Sequence, residues 1–412
     1  MRMGLHVHTS RGSDKLIDYC RSVQPAAVKF LPPDRELMQR VKAVSPDTLI
    51  VWRPYWADQR FDAHRAFTNH ALHHAQSLRG VVNYVEGWNE YTARDAREMR
   101  TFAEHEVRFA KAINEAGLGA AIGGYSTGFL DESSYMFDAA RPILELCHQR
   151  SGSVIWHSHE YAAPYMQYMA RTPDGKNQWL KTAANPRGSF TGVSTDPALF
   201  WDPSLVGWLT LRYRMLWARL VKEGLTGVRM FFSETGIDDV NPRPGGANRK
   251  GWRDYHGSEW SCLPGIGDYA DQLRWYGWHL GHDHYVLGWV DFGFGTEDPA
   301  WNSFALDQTP DMLARVIAEQ RRLPVGHITP APAPEPTPPT IPTPPVTPAP
   351  MPAVRAAIQV EQGDGWYAVC RRAYGAATTT GIARLQAANA EVTALHPGMR
   401  LWVPGYEVRR VS

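Results

Sequence analysis

Short apolar runs alternate along most of the chain with longer stretches in which apolar residues recur every three or four positions. The short runs are Met3–His8, Ala26–Leu31, Thr48–Tyr55, Val81–Trp88, Gly119–Tyr125, Val154–His159, Gly227–Ser233 and Tyr285–Phe292. Continuous apolar runs of this length read as strands covered on both faces. The longer stretches include Arg35–Val44, Asp62–Leu78, Ala93–Ala116, Tyr135–Gln149, Leu205–Glu223, Tyr269–His282 and Pro310–Arg322, and their period is helical. Eight strands alternating with helices predict an α/β fold, a closed parallel (β/α)8 barrel over residues 1–328. Two connections, Ala162–Asp202 and Asp238–Gly267, are long and rich in Gly, Pro, Asn and Trp. On this fold they rise from the carboxyl-end rim, where active sites lie.

The periodicity stops at residues 329–353, where roughly every second residue is proline. Fixed φ and missing N–H donors exclude helix and sheet there, and a polyproline II spacer of ~70 Å is expected at ~3.1 Å per residue. Residues 354–412 then read as a small unit: strand Ala357–Val360, a turn, helices Trp366–Tyr374 and Gly381–Asn389, and strand Arg400–Val403. A unit this small holds only a minimal core, which favours a binding module over a catalytic one.

A net charge of +1 makes nucleic acid a poor candidate partner. Sixteen tryptophans are more than a core of this size needs, and exposed tryptophan stacks well on sugar rings. The four cysteines are widely spaced, so a disulfide framework is not expected. The N-terminus lacks the apolar core of a signal peptide, and no stretch is long enough to span a bilayer.

Two apolar runs end abruptly in glutamate. Trp88-Asn89-Glu90 closes the fourth strand and Phe231-Phe232-Ser233-Glu234 the seventh. Two carboxylates on one rim are what cleavage of a glycosidic bond requires, with Glu90 as acid/base and Glu234 as nucleophile. Asn89 is placed to hydrogen-bond the substituent beside the reacting carbon. Trp56, Trp88 and Trp289, at strand ends, are candidate sugar platforms. His159 and Tyr161 end strand six beside the nucleophile, and His8 lines the floor of a subsite. Arg53 and Lys29 supply positive charge that lowers the nucleophile's pKa. Glu86 reads as a buried structural partner, and Glu160 is a rival carboxylate. No cofactor is required.

These residues resemble clan A of the glycoside hydrolases. Tyr84-Val85-Glu86-Gly87-Trp88-Asn89-Glu90 is similar to the clan's strand-four signature, Ser233-Glu234-Thr235-Gly236 to its nucleophile strand, His159-Glu160-Tyr161 to its strand-six His-x-Tyr, and Trp289 to its strand-eight platform. The resemblance covers residues 1 to about 325 and implies a retaining mechanism. Tyr91 stands where the clan often has proline, and Lys29 is the only basic residue where an arginine is expected near strand two.

A competing reading starts from His6-Val7-His8 at the end of strand one. A His-x-His there binds metal in amidohydrolases and in the polymerase-and-histidinol-phosphatase phosphoesterases, and His157, His159 and Asp291 would complete the site. It leaves Asn89-Glu90 and Ser233-Glu234 without a role, so no metal is assigned. A third reading is a non-catalytic glycan binder.

The C-terminal unit resembles a LysM module. Gly363-Asp364 follows a short strand, Ile382-x-x-Leu385-x-x-x-Asn389 lies on a helix, and Pro397-Gly398-x-x-Leu401-x-Val403-Pro404 ends it. The resemblance implies a shallow groove for N-acetylglucosamine chains between Gly363, Asp364, Gly365 and Trp366 on one side and Leu395, His396 and Pro397 on the other. The whole chain then reads as a glycosidase brought to peptidoglycan or chitin, working outside the cell or at its wall, with no membrane partner.

Overall fold

A computed structural model of the chain describes residues 1–56, 64–130, 135–168, 170–171, 180–182, 185–189, 201–238, 251–255, 266–325, 356–361, 366, 369–370, 372, 385–386, 389 and 399–403. The fold predicted from the hydrophobic pattern is present. Strands β1 (Gly4–Val7), β2 (Ala27–Phe30), β3 (Leu49–Trp52), β4 (Tyr84–Glu86), β5 (Gly119–Tyr125), β6 (Val154–Ala162), β7 (Met230–Ile237) and β8 (Val286–Phe294) close into one barrel. Every pairing is parallel, and β8 pairs with both β7 and β1.

Each strand is followed by a helix: α1 (Ser13–Val23), α2 (Arg35–Val44), α3 (His64–Leu78), α4 (Ala96–Glu115), α5 (Tyr135–Gln149), α6 (Tyr213–Lys222), α7 (Tyr269–Leu280) and α8 (Pro310–Arg321). Aspartates set several helix starts by accepting orphan N–H groups: Asp34 from Leu37, Asp95 from Arg97 and Glu98, and Asp268 within a capping box. Helix α6 begins at Tyr213, later than the Leu205 expected from periodicity, because Val206–Gly207 pairs with Ala170–Arg171 instead. Leu211 sits at φ 60, and Glu160 accepts from the N–H groups of Leu211 and Tyr213.

The barrel interior is filled in layers. Ala27, Leu49, Val51, Tyr84, Ala121, Ile155, Phe231, Leu287 and Val290 form an apolar cluster. Side chains two residues apart on a strand share a face. The positions above this layer are therefore Lys29 over Ala27, Arg53 over Val51, Glu86 over Tyr84, and His157 and His159 over Ile155. The inward face turns from apolar to charged on the way up the barrel.

Cys20, Cys147 and Cys370 are free and buried, while Cys262 lies outside the described residues. Among the described residues no helix is long and apolar enough to cross a membrane. The chain divides into the barrel unit and a C-terminal unit after residue 334. In the latter, β9 (Ala356–Gln359) pairs antiparallel with β10 (Arg400–Val403) beside a small core of Val360, Val369, Leu385 and Leu401. Trp366, expected in a glycan groove, packs partly buried on that core. Gly363, Asp364, Gly365, Leu395, His396, Pro397 and the proline-rich segment 329–353 lie outside the described residues.

Candidate active site

Glu234 sits near the end of β7 and is almost wholly buried. The register between β7 and β6 shifts between Phe232 and Glu234. A bulge of this kind re-aims side chains. Ser233 lies against His157 and the next residue, Glu234, also points inward. Glu234 Oε1 lies 3.1 Å from Lys29 Nζ, 3.0 Å from an Arg53 guanidinium nitrogen and 3.6 Å from His6 Nδ1. Its Oε2 accepts from the Tyr161 hydroxyl at 3.0 Å and lies 3.4 Å from His159 Nδ1. Burial pushes this carboxyl up, but His159, Lys29, His6 and Arg53 together outweigh it and hold it well below the usual carboxylate range.

Glu90 lies just past β4 with its side chain 41% exposed, and its Oε1 is 2.7 Å from the same His159 Nδ1. The two carboxylates thus meet at one nitrogen, which caps the separation of these oxygens at about 6 Å. Glu90 has φ 47, a left-handed conformation costly for a non-glycine residue, and its N–H donates to Gly124 O at 2.7 Å. Below it the Glu106 carboxylate, reaching from α4, accepts from Trp88 N at 3.2 Å and Gly123 N at 2.9 Å. These bonds tie the ends of β4 and β5 together under the candidate acid.

A cleft of about 400 Å³ opens over the pair, lined by Arg53, Asn89, Tyr161 and His8 among the predicted residues. Burial pushes the His8 imidazole down to about 4, so at neutral pH it is uncharged, and its Nε2 has no hydrogen-bond partner among the described residues. Asn89 Oδ1 likewise has none. Both residues line the cleft, but these two atoms are themselves buried. Lys29 and Glu86 lie beneath the cleft, 2.9 Å apart and fully buried.

The three predicted tryptophan platforms are not where the sequence reading put them. Trp289 is completely buried, edge-on to Tyr276 of α7, with Nε1 bonded to Met1 O. Its parity on β8 turns it outward. Val290 and Phe292 face in, and Phe292 lines the cleft. Trp88 is buried behind β4, stacked on His64 and edge-on to Phe67. Trp56 leans on His70 and borders a small recess beside the cleft rather than the cleft itself. The cleft's aromatic surface comes instead from Phe292, from Tyr55 beyond β3 and from Trp301 in the turn after β8, which packs edge-on to Phe292 at 5.3 Å. Strand parity was the signal that would have found Phe292. Nothing local marked Trp301.

The rival assignments disperse. Glu160 faces away from the cleft and accepts from Leu211, Tyr213 and the Tyr276 hydroxyl, anchoring the connection after β6. The residues of the metal reading do not converge. His157 Nδ1 lies 2.9 Å from Ser233 Oγ, His159 serves the carboxylates, and Asp291 turns outward to the Tyr269 hydroxyl at 2.5 Å. Among the described residues no three His, Cys, Asp or Glu side chains are arranged to hold a metal ion.

Asp291 carries a testable consequence. Burial pushes its carboxyl up to about 8, with Tyr269 opposing, against roughly 3.9 when unfolded. Between those values the folded chain binds a proton that the unfolded chain has lost, so this group's contribution to stability falls as pH rises from about 4 to about 8. Asp291→Asn keeps an acceptor for Tyr269 and removes the titration. Urea midpoints at pH 5 and pH 8 should shift in the variant's favour at the higher pH. An equal offset at both values would rule this account out.

No protein-family model matches the chain, and no curated protein sequence does. Among solved structures it is similar to a family 39 glycoside hydrolase from the gut symbiont Bacteroides cellulosilyticus WH2, at 14% identity and a TM-score of 0.42. That alignment covers 77% of this chain and 63% of the other, so the chain spans less than two thirds of the Bacteroides protein. It is also similar to the endo-β-1,4-mannanase of Thermotoga petrophila, at 10% identity and a TM-score of 0.42, over 78% of this chain and 76% of that one. CJP38, a β-1,3-glucanase and allergen of Cryptomeria japonica pollen, matches at 10% identity and a TM-score of 0.44, over 74% of this chain and 95% of that one.

Proposed function

We propose that the barrel is a retaining glycoside hydrolase in which Glu234 is the nucleophile and Glu90 the acid/base. One observation carries the reading: Glu90 and Glu234 approach the same His159 nitrogen at 2.7 and 3.4 Å. Retaining enzymes hold their carboxyl groups roughly 5–5.5 Å apart and inverting ones roughly 6.5–9.5 Å, to admit a water. The cap of about 6 Å fits the first class.

The environments divide the labour. Glu234, buried among cations, stays ionised and attacks the anomeric carbon. Glu90, more exposed, gives its proton to the leaving oxygen and then takes one from the water that hydrolyses the glycosyl-enzyme. Lys29 and Arg53 both bind Oε1, which leaves Oε2 as the attacking atom, aimed by Tyr161 and His159. The chemistry needs no cofactor. A slow 2-deoxy-2-fluoroglycoside tests the assignment: mass spectrometry should locate a covalent sugar on Glu234, and the product of a good substrate should keep its anomeric configuration. Inversion would overturn the mechanism.

Tyr161→Phe removes one hydrogen bond to a charged group, worth about 1.5–3 kcal/mol. The expected fall in kcat/KM is about 10–100-fold, with thermal stability close to the parent's. Steady-state kinetics beside a melting curve check this.

We read the C-terminal unit as a LysM module that holds the barrel on an N-acetylglucosamine-containing wall polymer, peptidoglycan or chitin, outside the cell. The sequence motifs and the antiparallel β9–β10 pair beside a small core support it. Tethering raises the effective concentration of the barrel at an insoluble substrate. The full chain should co-sediment with purified peptidoglycan or chitin and be released by N-acetylglucosamine oligomers. Failure on both polymers removes the targeting role and leaves the barrel's chemistry untouched.

A further inference from the structure

We propose that Glu86 is a positioning residue for the nucleophile, acting through Lys29, the buried cation that it shares with Glu234. This rests on the reading of Glu234 given above and assigns a role to a carboxylate below the cleft that touches no substrate.

Lys29 Nζ stands 2.9 Å from Glu86 Oε2 and 3.1 Å from Glu234 Oε1, and its side chain has no exposed surface. An ammonium has three donors and no fixed plane. A single carboxylate would leave it free to swing, whereas two from different strands define where it sits. Glu86 also lies 3.5 Å from His157 Nδ1, which is 2.9 Å from Ser233 Oγ, next to the nucleophile in sequence. Glu86 therefore braces Glu234 through the cation on its carboxylate, while His157 fills the space between Glu86 and the nucleophile's own strand.

The charge balance gives Glu86 a second effect. Facing Glu234 are His6 from β1, Lys29 from β2, Arg53 beyond β3, Glu90 beyond β4, and His159 and Tyr161 from β6. The permanent charges buried here are two cations, Lys29 and Arg53, and two carboxylates, Glu234 and Glu86. Facing Glu86 are Lys29, His157 and, at longer range, Arg53. Neutralising Glu86 leaves one surplus positive charge beside Glu234 in a medium that screens it poorly. A carboxylate so held is a weaker nucleophile and a better leaving group. The first half of a double displacement uses the former property and the second half the latter.

Glu86→Gln is isosteric and leaves Lys29 ion-paired to Glu234, so the fold should survive, which circular dichroism checks. With an activated 2-deoxy-2-fluoroglycoside, formation of the glycosyl-enzyme should slow by roughly tenfold while its hydrolysis speeds up several-fold. Glu86→Asp keeps the charge and retracts it, so formation should slow without the acceleration of release. A merely structural defect slows both steps, and that result, or two unchanged rates, overturns the proposal. A second readout needs no substrate: the side-chain 13C carboxyl resonance of Glu234 in labelled protein should move on Glu86→Gln, and an unmoved resonance overturns the proposal by itself. If the parent neither cleaves nor is labelled by any glycan, the glycosidase reading fails, while the carboxyl resonance still decides whether Glu86 acts on Glu234.

Discussion

Glu234→Gln should lower kcat/KM by about 10⁴-fold or more on any glycan that the parent proves to cleave, with binding of that glycan retained. The amide keeps the size of the side chain, an oxygen for Arg53 and an NH2 that donates to the Tyr161 hydroxyl oxygen, so the cleft keeps its shape. It cannot form the glycosyl ester. Lys29 keeps its pair with Glu86, so the substitution strands no lysine charge in the interior. Chemical rescue separates the two glutamates. In Glu234→Ala, azide can occupy the vacated face and attack the anomeric carbon directly, giving a glycosyl azide of inverted configuration. In Glu90→Ala, azide replaces water in the second displacement and the azide product keeps the configuration of the substrate. Equal activity of Glu234→Gln and the parent would remove the nucleophile assignment, and identical azide products from both alanine variants would remove the division of roles.

The parts that were legible in the sequence are those fixed by short-range pattern. Eight apolar runs gave eight barrel strands because a parallel strand buried on both faces has no polar positions to blur it. The charged upper layer was legible for a related reason. Lys29, Arg53, Glu86 and His159 each interrupt an apolar run at its carboxyl end, and a strand carries such residues into a barrel only where they find partners. What stayed hidden depended on bulges and on contacts between distant segments. The shifted register at Phe232–Glu234 and the one beside Phe231–Gly288 change which side chains face inward, and a strict period of two does not reveal them. Trp289 is a different case: its place near a strand end suggests a sugar platform, but parity along β8 turns it outward, and Phe292 and Trp301 take that place. Trp88 illustrates the complementary error. An aromatic beside a catalytic dipeptide reads as substrate-facing, yet its ring is needed to cover α3 through His64 and Phe67.

Gly124→Ala should cost about 3 kcal/mol of stability and about 100-fold in kcat/KM. Gly124 has φ 50, and a β-carbon there would lie 1.9 Å from the Trp88 carbonyl oxygen. That oxygen is backbone, so relief requires moving the β4 end itself. The Gly124 carbonyl also accepts the Glu90 N–H at 2.7 Å, the bond that holds Glu90 in its left-handed conformation. Displacing one peptide therefore displaces Glu90, the proposed acid/base, and about 1 Å at such a group is enough for a loss of this order. Gly80 supplies the control. Its φ of 78 imposes a similar conformational penalty, but none of the described residues lies within 4 Å of its β-carbon position. Gly80→Ala should cost only about 1 kcal/mol and leave kinetics unchanged. Urea denaturation and steady-state kinetics of the two variants side by side measure the difference, and equal behaviour would mean that the contact with Trp88 does not hold the acid/base in place.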